Sequence, residues 1–367
     1  MKKTKVGIIG CGNISGIYCK TLKKMEITDL AAVADLLPER AEARATEFGI
    51  ARACSVDQLL ADPEIKIVVN LTIPKAHSEV ALQVLKAGKS VYNEKPLAVT
   101  RDQAKAMLKL AAKQKVRIGC APDTFLGAGI QTCRKLIDDG WIGTPVAATA
   151  FMMCRGHETW HPDPDFYYQP GGGPMFDMGP YYLTALVNLV GPIRRISGSA
   201  RVTFPERLIT SQPKHGTLIK VNTPTHIAGV VDFKSGAIGT IVTSFDVCSH
   251  THSCIEVYGT SGSILVPDPN GFGGDVKVRR RGAAEWQSVP HTHSYPENSR
   301  GLGVADMAAG IASGRAHRAS GELAAHVLDA MQAFLDASDT GAAVTLSTTC
   351  AQPAPMPMNL RDGEVEA

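Results

Sequence analysis

The sequence predicts an α/β chain in two parts: a doubly wound parallel sheet at the N-terminal end, then an α+β region built on a large, open, mainly antiparallel sheet. Three observations carry this. From Lys5 to about Pro122, short β-branched runs alternate with helical periodicity, the pattern of a βαβ series. Beyond Pro122 come many strand-like segments separated by glycine-containing turns. A chain of 367 residues also exceeds what one hydrophobic core usually serves, so two domains are expected.

In the first part, strands are read at Val6–Ile9, Leu30–Ala34, Ile65–Leu71, Ser90–Tyr92 and Arg117–Cys120. Ser55 with Gln58, and Thr100 with Gln103, are capping boxes that open helices. The turn after the first strand reads Gly10-Cys11-Gly12-Asn13-Ile14-Ser15. Gly10 suits a tight strand-to-helix turn, Gly12 lets the backbone approach a pyrophosphate, and free N–H groups at Asn13 and Ile14 would hold its charge. Ser15 replaces the usual third glycine, and its small side chain still permits close helix packing. Asp35 closes the second strand at about the interval expected of a carboxylate that binds both ribose hydroxyls of an adenosine. Because it repels a 2′-phosphate, it favours NAD over NADP. Arg40 either pairs with a phosphate and softens that preference or stands exposed in a first helical turn.

In the second part, a helix is expected over Leu126–Asp139, with strands at Val146–Met153, Ile193–Phe204, His226–Phe233, Ile238–Phe245, Ile255–Tyr258 and Val276–Arg279. A last helix runs from Gly321 to Ala337. Such a sheet packs one face on helices and leaves the other available to a subunit. Pro353–Met358 and the acidic end read as irregular tail. The expected division is 1–122, 123–346 and a tail over 347–367.

Composition narrows the function. Apolar residues at 44% and charged residues at 20% indicate a folded globular chain, and no segment has the apolar length of a membrane span. The apolar run after Met1-Lys2-Lys3 is too short for a signal peptide, so a cytoplasmic location is expected. A net charge of +3 gives no argument for nucleic acid, and Arg279-Arg280-Arg281 reads as a solvated hairpin end. The nine cysteines include no C-x-x-C pair, which suits reduced thiols better than disulfides or zinc.

Two segments carry candidate chemistry. Asn93-Glu94-Lys95-Pro96-Leu97 follows the fourth strand, which puts Lys95 at the carboxyl edge of the sheet, able to hydrogen-bond a substrate hydroxyl. Gly171-Gly172-Gly173-Pro174-Met175-Phe176-Asp177-Met178-Gly179-Pro180-Tyr181 joins a flexible turn to an apolar helix that reaches about Val190. If that helix has begun by Asp177, Asp177 and Tyr181 project from one face. Three glycines let a backbone press against a flat ligand or another chain. Just upstream, His157, Trp160 and His161 offer polar and stacking contacts to a sugar ring, and Asp165, Tyr168 and Gln169 add polar groups. Prolines at 162 and 164 argue against the helix that a two-histidine metal motif needs, so no metal is expected. Asp123, Gln131, His250 and His252 read as structural or exposed.

Taken together, the glycine turn, Asp35, Leu71-Thr72-Ile73-Pro74 with His77, Glu94-Lys95-Pro96 and the G-G-G-x-x-x-D-x-G block resemble the glucose-fructose oxidoreductase, inositol dehydrogenase and rhizopine-catabolism family, over nearly the whole chain to about Leu346. The resemblance implies an N-terminal Rossmann domain that binds NAD(P), a C-terminal domain for substrate and oligomerisation, and oxidation or reduction of a sugar-like hydroxyl. It also implies that Lys95 and Asp177 are the catalytic pair, and that Thr72, Pro74, His77 and Glu94 help seat the nicotinamide half. Many relatives carry a histidine four residues after the aspartate as proton acceptor, and here that position is Tyr181. Three arrangements stay open: Tyr181 as base assisted by Lys95, Lys95 itself with Asp177 relaying, or a histidine from elsewhere, for which His157 and His161 are the best suppliers.

The expected function is NAD-dependent hydride transfer from a secondary hydroxyl of a sugar, glycoside or cyclitol, by a homo-dimer or homo-tetramer. Its alternatives are a tightly bound NAD used for transient oxidation and a non-catalytic NAD-binding sensor.

Overall fold

The computed structural model describes residues 3–366. Its first layer is a six-stranded parallel sheet of β1 (Thr4–Ile9), β2 (Thr28–Ala34), β3 (Ala53–Cys54), β4 (Ile67–Asn70), β5 (Ser90–Asn93) and β6 (Ile118–Cys120). Helices α1 (Ser15–Lys24), α2 (Pro38–Phe48), α3 (Val56–Ala61), α4 (Pro74–Lys86) and α5 (Arg101–Gln114) make the crossovers. Both capping boxes form at the heads of α3 and α5. Strands β4 and β5 are buried along their whole length, as parallel strands covered on both faces must be. The order β3-β2-β1-β4-β5-β6 reverses between β1 and β4, and the crevice beyond the carboxyl ends at such a switch point is where ligands bind.

The chain continues through α6 (Ala128–Asp138), β7 (Pro145–Met153), α7 (Gly173–Asp177) and α8 (Gly179–Val190). Next come β8 (Ile193–Arg201), β9 (Glu206–Leu208), β10 (Leu218–Lys220), β11 (His226–Phe233), β12 (Ile238–Ser244), β13 (Ile255–Gly259) and β14 (Gly262–Val266). It ends with β15 (Val276–Arg280), β16 (Gln287–Val289), α9 (Leu302–Ser313), α10 (Gly321–Thr340) and β17 (Val344–Thr345). A nine-stranded sheet runs β16-β15-β14-β13-β7-β12-β11-β8-β17, antiparallel except where β7 meets β12. Its inner face buries Ile227, Val231, Ile241, Ile255 and Val257, with α8 packed on β7 and α10 on β8 and β11. Gly198 and Gly229 pair across β8 and β11, and a side chain at either would run into Phe334 of α10. Val230 and Ile238, by contrast, stand exposed on the outer face.

Several elements differ from the expectation. Helix α9 carries no local signal, because it is apolar all round and starts after Gly301 rather than after a capping side chain. Its N-terminal N–H groups are satisfied from afar, by Asp123, which accepts from Gly301 and Gly303 at 2.8 and 2.9 Å. The C-terminal segment is irregular, as expected, but it is fastened down. Met356 and Leu360 are buried, Met356 N donates to Gln131, and Glu26 N donates to the Gly363 carbonyl.

Candidate active site

At the first edge of the crevice, the glycine turn is shaped by what a side chain would strike. Gly10 has φ of 100°, and a Cβ there would meet the Leu71 carbonyl at 2.7 Å. A Cβ on Gly12 would meet nothing within 4 Å, so the turn opens onto free space that a ligand can enter. Ser15, in the third-glycine position, folds its hydroxyl back onto the Gly12 carbonyl at 2.6 Å. Asp35 accepts from Cys11 N at 2.7 Å and Leu37 N at 3.0 Å, which fixes its carboxylate beside the turn. Ile14, Leu36, Leu37 and Ile73 are exposed along this same edge, Leu36 by 91%. Exposed apolar groups clustered around a carboxylate and a glycine turn match the needs of an adenosine, a flat ring beside a diol. Arg40 is exposed on α2, whereas Arg44, one turn on, reaches the Gly12 carbonyl at 3.1 Å.

At the second edge, a polar ladder holds the loops after β4 and β5. Asn70 donates to Asn93 and to the His77 carbonyl, and accepts from the Thr72 hydroxyl at 2.7 Å. His77, fully buried in α4, bridges the Pro96 and Thr72 carbonyls at 2.7 and 2.9 Å, so it positions both loops rather than facing a ligand. Pro74 opens α4, its fixed φ suited to a first helical position. Glu94 accepts from Tyr18 and from Lys95 N, which pins the segment that carries Lys95.

The two remote segments converge here. Lys95 Nζ donates to the Asp177 carboxylate at 2.9 Å and to its carbonyl at 2.7 Å. The other Asp177 oxygen lies 3.1 Å from His157 Nε2, while His157 Nδ1 is buried with no partner. Tyr181 lies alongside, with Lys95 Nζ 5.2 Å from its ring centroid. Asp177 and Tyr181 do not share a continuous helix, since α7 ends at Asp177 and α8 starts at Gly179, but both still face Lys95. Burial would raise the Asp177 carboxyl, yet Lys95 and His157 outweigh it and hold its pKa at about 2. Burial would lower the Lys95 ammonium, but Asp177 and Tyr181 carry it above the ordinary lysine value. Burial pushes the Tyr181 phenol up, and the neighbouring Lys95 does not bring it back.

Behind His157 stands a buried ionic scaffold. Tyr168 accepts from His157 N at 3.1 Å and donates to Glu158, Glu158 pairs with Arg207 at 2.8 Å, and Arg207 pairs with Asp246. The glycine block presses on the chain's own backbone rather than on a ligand. A Cβ at Gly172 would strike the Phe166 carbonyl at 2.5 Å, and one at Gly173 the Pro224 carbonyl at 2.8 Å. Trp160, 61% exposed, meets His157 edge to face at 5.2 Å, at the rim of the site. His161 is held in the loop by Asp163 N, and the Asp165 carboxylate is engaged by Lys214 at 2.7 Å on the outer side. Among the described residues, no three His, Cys, Asp or Glu gather as a metal site. Sequence reasoning missed Tyr18, Arg44, Glu158, Arg207 and Arg300, each of which also contacts a residue far away in the chain, a contact that leaves no spacing to read.

Comparison with known proteins identifies the family and the fold. Residues 4–121 match the family model described as an oxidoreductase family with an NAD-binding Rossmann fold, and residues 130–265 match the GFO/IDH/MocA C-terminal domain. The chain is 27% identical over 266 residues to 1,5-anhydro-D-fructose reductase of Ensifer adhaerens, covering 71% of this chain and 74% of the relative. It is 24% identical over 263 residues to myo-inositol 2-dehydrogenase of Thermotoga maritima, with the same coverage. A solved levoglucosan dehydrogenase in complex with NADH has the same fold, with a TM-score of 0.80, 20% identity and coverage of 95% of this chain and 100% of that one.

Proposed function

The chain belongs to the GFO/IDH/MocA oxidoreductase family, and from that premise we propose that it oxidises a secondary hydroxyl of a sugar, glycoside or cyclitol with NAD, using Lys95 and Asp177 as the catalytic pair. The observation that carries the reading is the contact of Lys95 with Asp177 at 2.9 Å across 82 residues of chain, at the ligand-binding end of the parallel sheet. The related proteins named as inositol and levoglucosan dehydrogenases support the substrate class. Gly10, Gly12, Asn13 and Ile14 hold the pyrophosphate, Asp35 binds the ribose diol, and Thr72 and Glu94 border the nicotinamide half. The cofactor, when bound, supplies the hydride acceptor.

The protein's own work is orientation and charge. Lys95, kept as an ammonium, donates to the substrate oxygen and stabilises the developing alkoxide. Asp177 fixes Lys95 on one side and the His157 imidazole on the other. Of the three arrangements for proton removal, the contacts weigh against the histidine. His157 Nε2 faces the Asp177 carboxylate and its Nδ1 is buried, so the imidazole orients the aspartate rather than meeting the substrate. Tyr181, its phenol raised, positions the substrate. Trp160 flanks the ring. The outer face of the large sheet, with Val230 and Ile238 exposed, supports a homo-oligomer.

A panel of sugars, glycosides and cyclitols, followed at the reduced-nicotinamide absorbance, tests this directly. Lys95→Ala should lower turnover on the best substrate by 100-fold or more, as an order-of-magnitude expectation, and leave NAD affinity within about threefold. Equal loss of turnover and NAD affinity, or no reduced nicotinamide from any member, refutes the proposal.

A further inference from the structure

We propose that Arg300 is an anion anchor beside the catalytic pair, and that the physiological substrate carries a carboxylate: a uronic or aldonic acid, or a cyclitol acid, rather than a neutral polyol. The inference rests on the dehydrogenase reading for the location of the site, but not for the chemistry of the arginine.

Arg300 immediately precedes the turn into α9, and its guanidinium lies 6.0 Å from the centroid of the Tyr181 ring, the ring that Lys95 Nζ approaches to 5.2 Å. Lys95 and Arg300 thus border the same aromatic ring. The guanidinium is held in place by neutral groups. Nη1 donates to the Asn298 side chain at 2.9 Å, and Nη2 to the Asn270 carbonyl and side chain at 3.1 and 2.6 Å. A cavity of about 370 Å³, lined by Asp268, Asn270, Phe272, Pro296, Asn298 and Arg300, opens beside the guanidinium.

Arg300 differs from most of the enclosed arginines in lacking an ion-paired carboxylate, as does the half-buried Arg117. Arg101, Arg134, Arg207, Arg315 and Arg318, also partly or wholly enclosed, each pair with an aspartate or glutamate. No such pair forms for Arg300 among the described residues. The acidic groups around it hold other donors and none contacts the guanidinium. Asp123 caps α9 through one oxygen and keeps the other buried without a partner, Glu94 accepts from Tyr18 and Lys95 N, and Asp268, on the cavity rim, accepts from Asn270 N. A guanidinium fixed by amides and left without a carboxylate is arranged to receive one, since its planar fork matches two carboxylate oxygens.

The position of the arginine separates a substrate acid from the cofactor pyrophosphate. The glycine turn follows β1 and Lys95 follows β5, two strand spacings or roughly 10 Å away across the sheet. Arg300 stands over Tyr181, at the Lys95 end, where the reacting carbon must lie.

The test is calorimetric titration of the NAD-loaded protein with hexuronates and hexonates and with their neutral hexose and hexitol counterparts, alongside turnover. Wild type should bind acids at least about tenfold more tightly than neutral counterparts. Arg300→Gln should weaken acid binding by roughly 10- to 100-fold, the worth of a charged hydrogen-bonding partner, with neutral ligands and NAD within about threefold. Arg300→Lys, which keeps the charge and loses the fork, should fall between. Absence of acid preference in wild type overturns the proposal. So does a loss of NAD affinity in Arg300→Gln equal to the loss for acids, which would assign the anion to the cofactor. Acids bound with the expected preference but not oxidised would uphold the anchor and sink the dehydrogenase reading. Neutral sugars oxidised without acid preference would do the reverse.

Discussion

Replacing Asp177 by Asn keeps the shape of the side chain and removes its charge, so it isolates the electrostatic centre of the site. The Asp177 carboxyl is held at about 2 against an ordinary 3.8, chiefly because Lys95 outweighs the burial that would raise it. At roughly 1.4 kcal/mol per pH unit, that difference corresponds to about 2–3 kcal/mol of stability. A second estimate agrees. Breaking a fully buried pair costs roughly 3–5 kcal/mol because it strands the remaining charge. The Lys95 and Asp177 side chains keep 18% and 15% exposure, which places the loss near or just below the lower end of that range. For a chain of this length, it appears as a fall of roughly 3–5 °C in melting temperature.

The pH dependence has a definite sign. The folded pKa lies below the unfolded one, so the stabilisation is complete above the unfolded value and is lost as pH falls through the folded value. Wild type and Asp177→Asn should therefore differ most at neutral pH and converge between about pH 4 and pH 2. Urea denaturation of both proteins across that range reads the difference, with turnover measured in parallel. Lys95 in the variant loses the partner that offsets its burial, so its ammonium titrates lower and an alkaline limb should enter the activity profile. A variant as stable as wild type at neutral pH, or a deficit undiminished at the acid end, would refute the reasoning.

Two further outcomes check the site. His157→Gln, which removes an orienting contact of Asp177, should lower kcat/KM by about tenfold or less, short of the roughly 100-fold or more that is the usual worth of a general base; a larger loss in steady-state kinetics would make the histidine the proton acceptor. Asp35→Ala should reduce the ratio of NAD to NADP affinity by about tenfold or more in fluorescence titrations, and a wild type that prefers NADP would contradict the assignment of Asp35 to the ribose.

Much of the fold was legible because its signals are local. The six parallel strands were anticipated except β3, a two-residue strand too short to show periodicity. Both capping boxes were read because each lies within four consecutive residues. What escaped depends on partners far along the chain. Helix α9 is capped by Asp123, 178 residues upstream of Gly301, so its start leaves no mark beside it. The C-terminal segment has the composition of a tail, but Arg134 and Arg318 donate to its carbonyls and hold it against the body. The site divides in the same way. Lys95, Asp177 and Asp35 sit in recognisable motifs, whereas Arg300 and the Glu158–Arg207–Asp246 scaffold are assembled only by tertiary packing.

The choice of a tyrosine at position 181 follows from the charges around it. A histidine there would stand between Lys95 and Arg300, which lie 5.2 and 6.0 Å from the centroid of the present tyrosine ring. Taking up a proton would then gather three positive charges in an enclosed space, and both neighbours would oppose it. A neutral phenol avoids that cost and offers its ring face to the two cations. On the far side of Asp177, His157 Nε2 contacts the other carboxylate oxygen at 3.1 Å and so fixes the aspartate that faces Lys95. The buried Tyr168, Glu158 and Arg207 scaffold in turn holds the loop that carries His157 in that position.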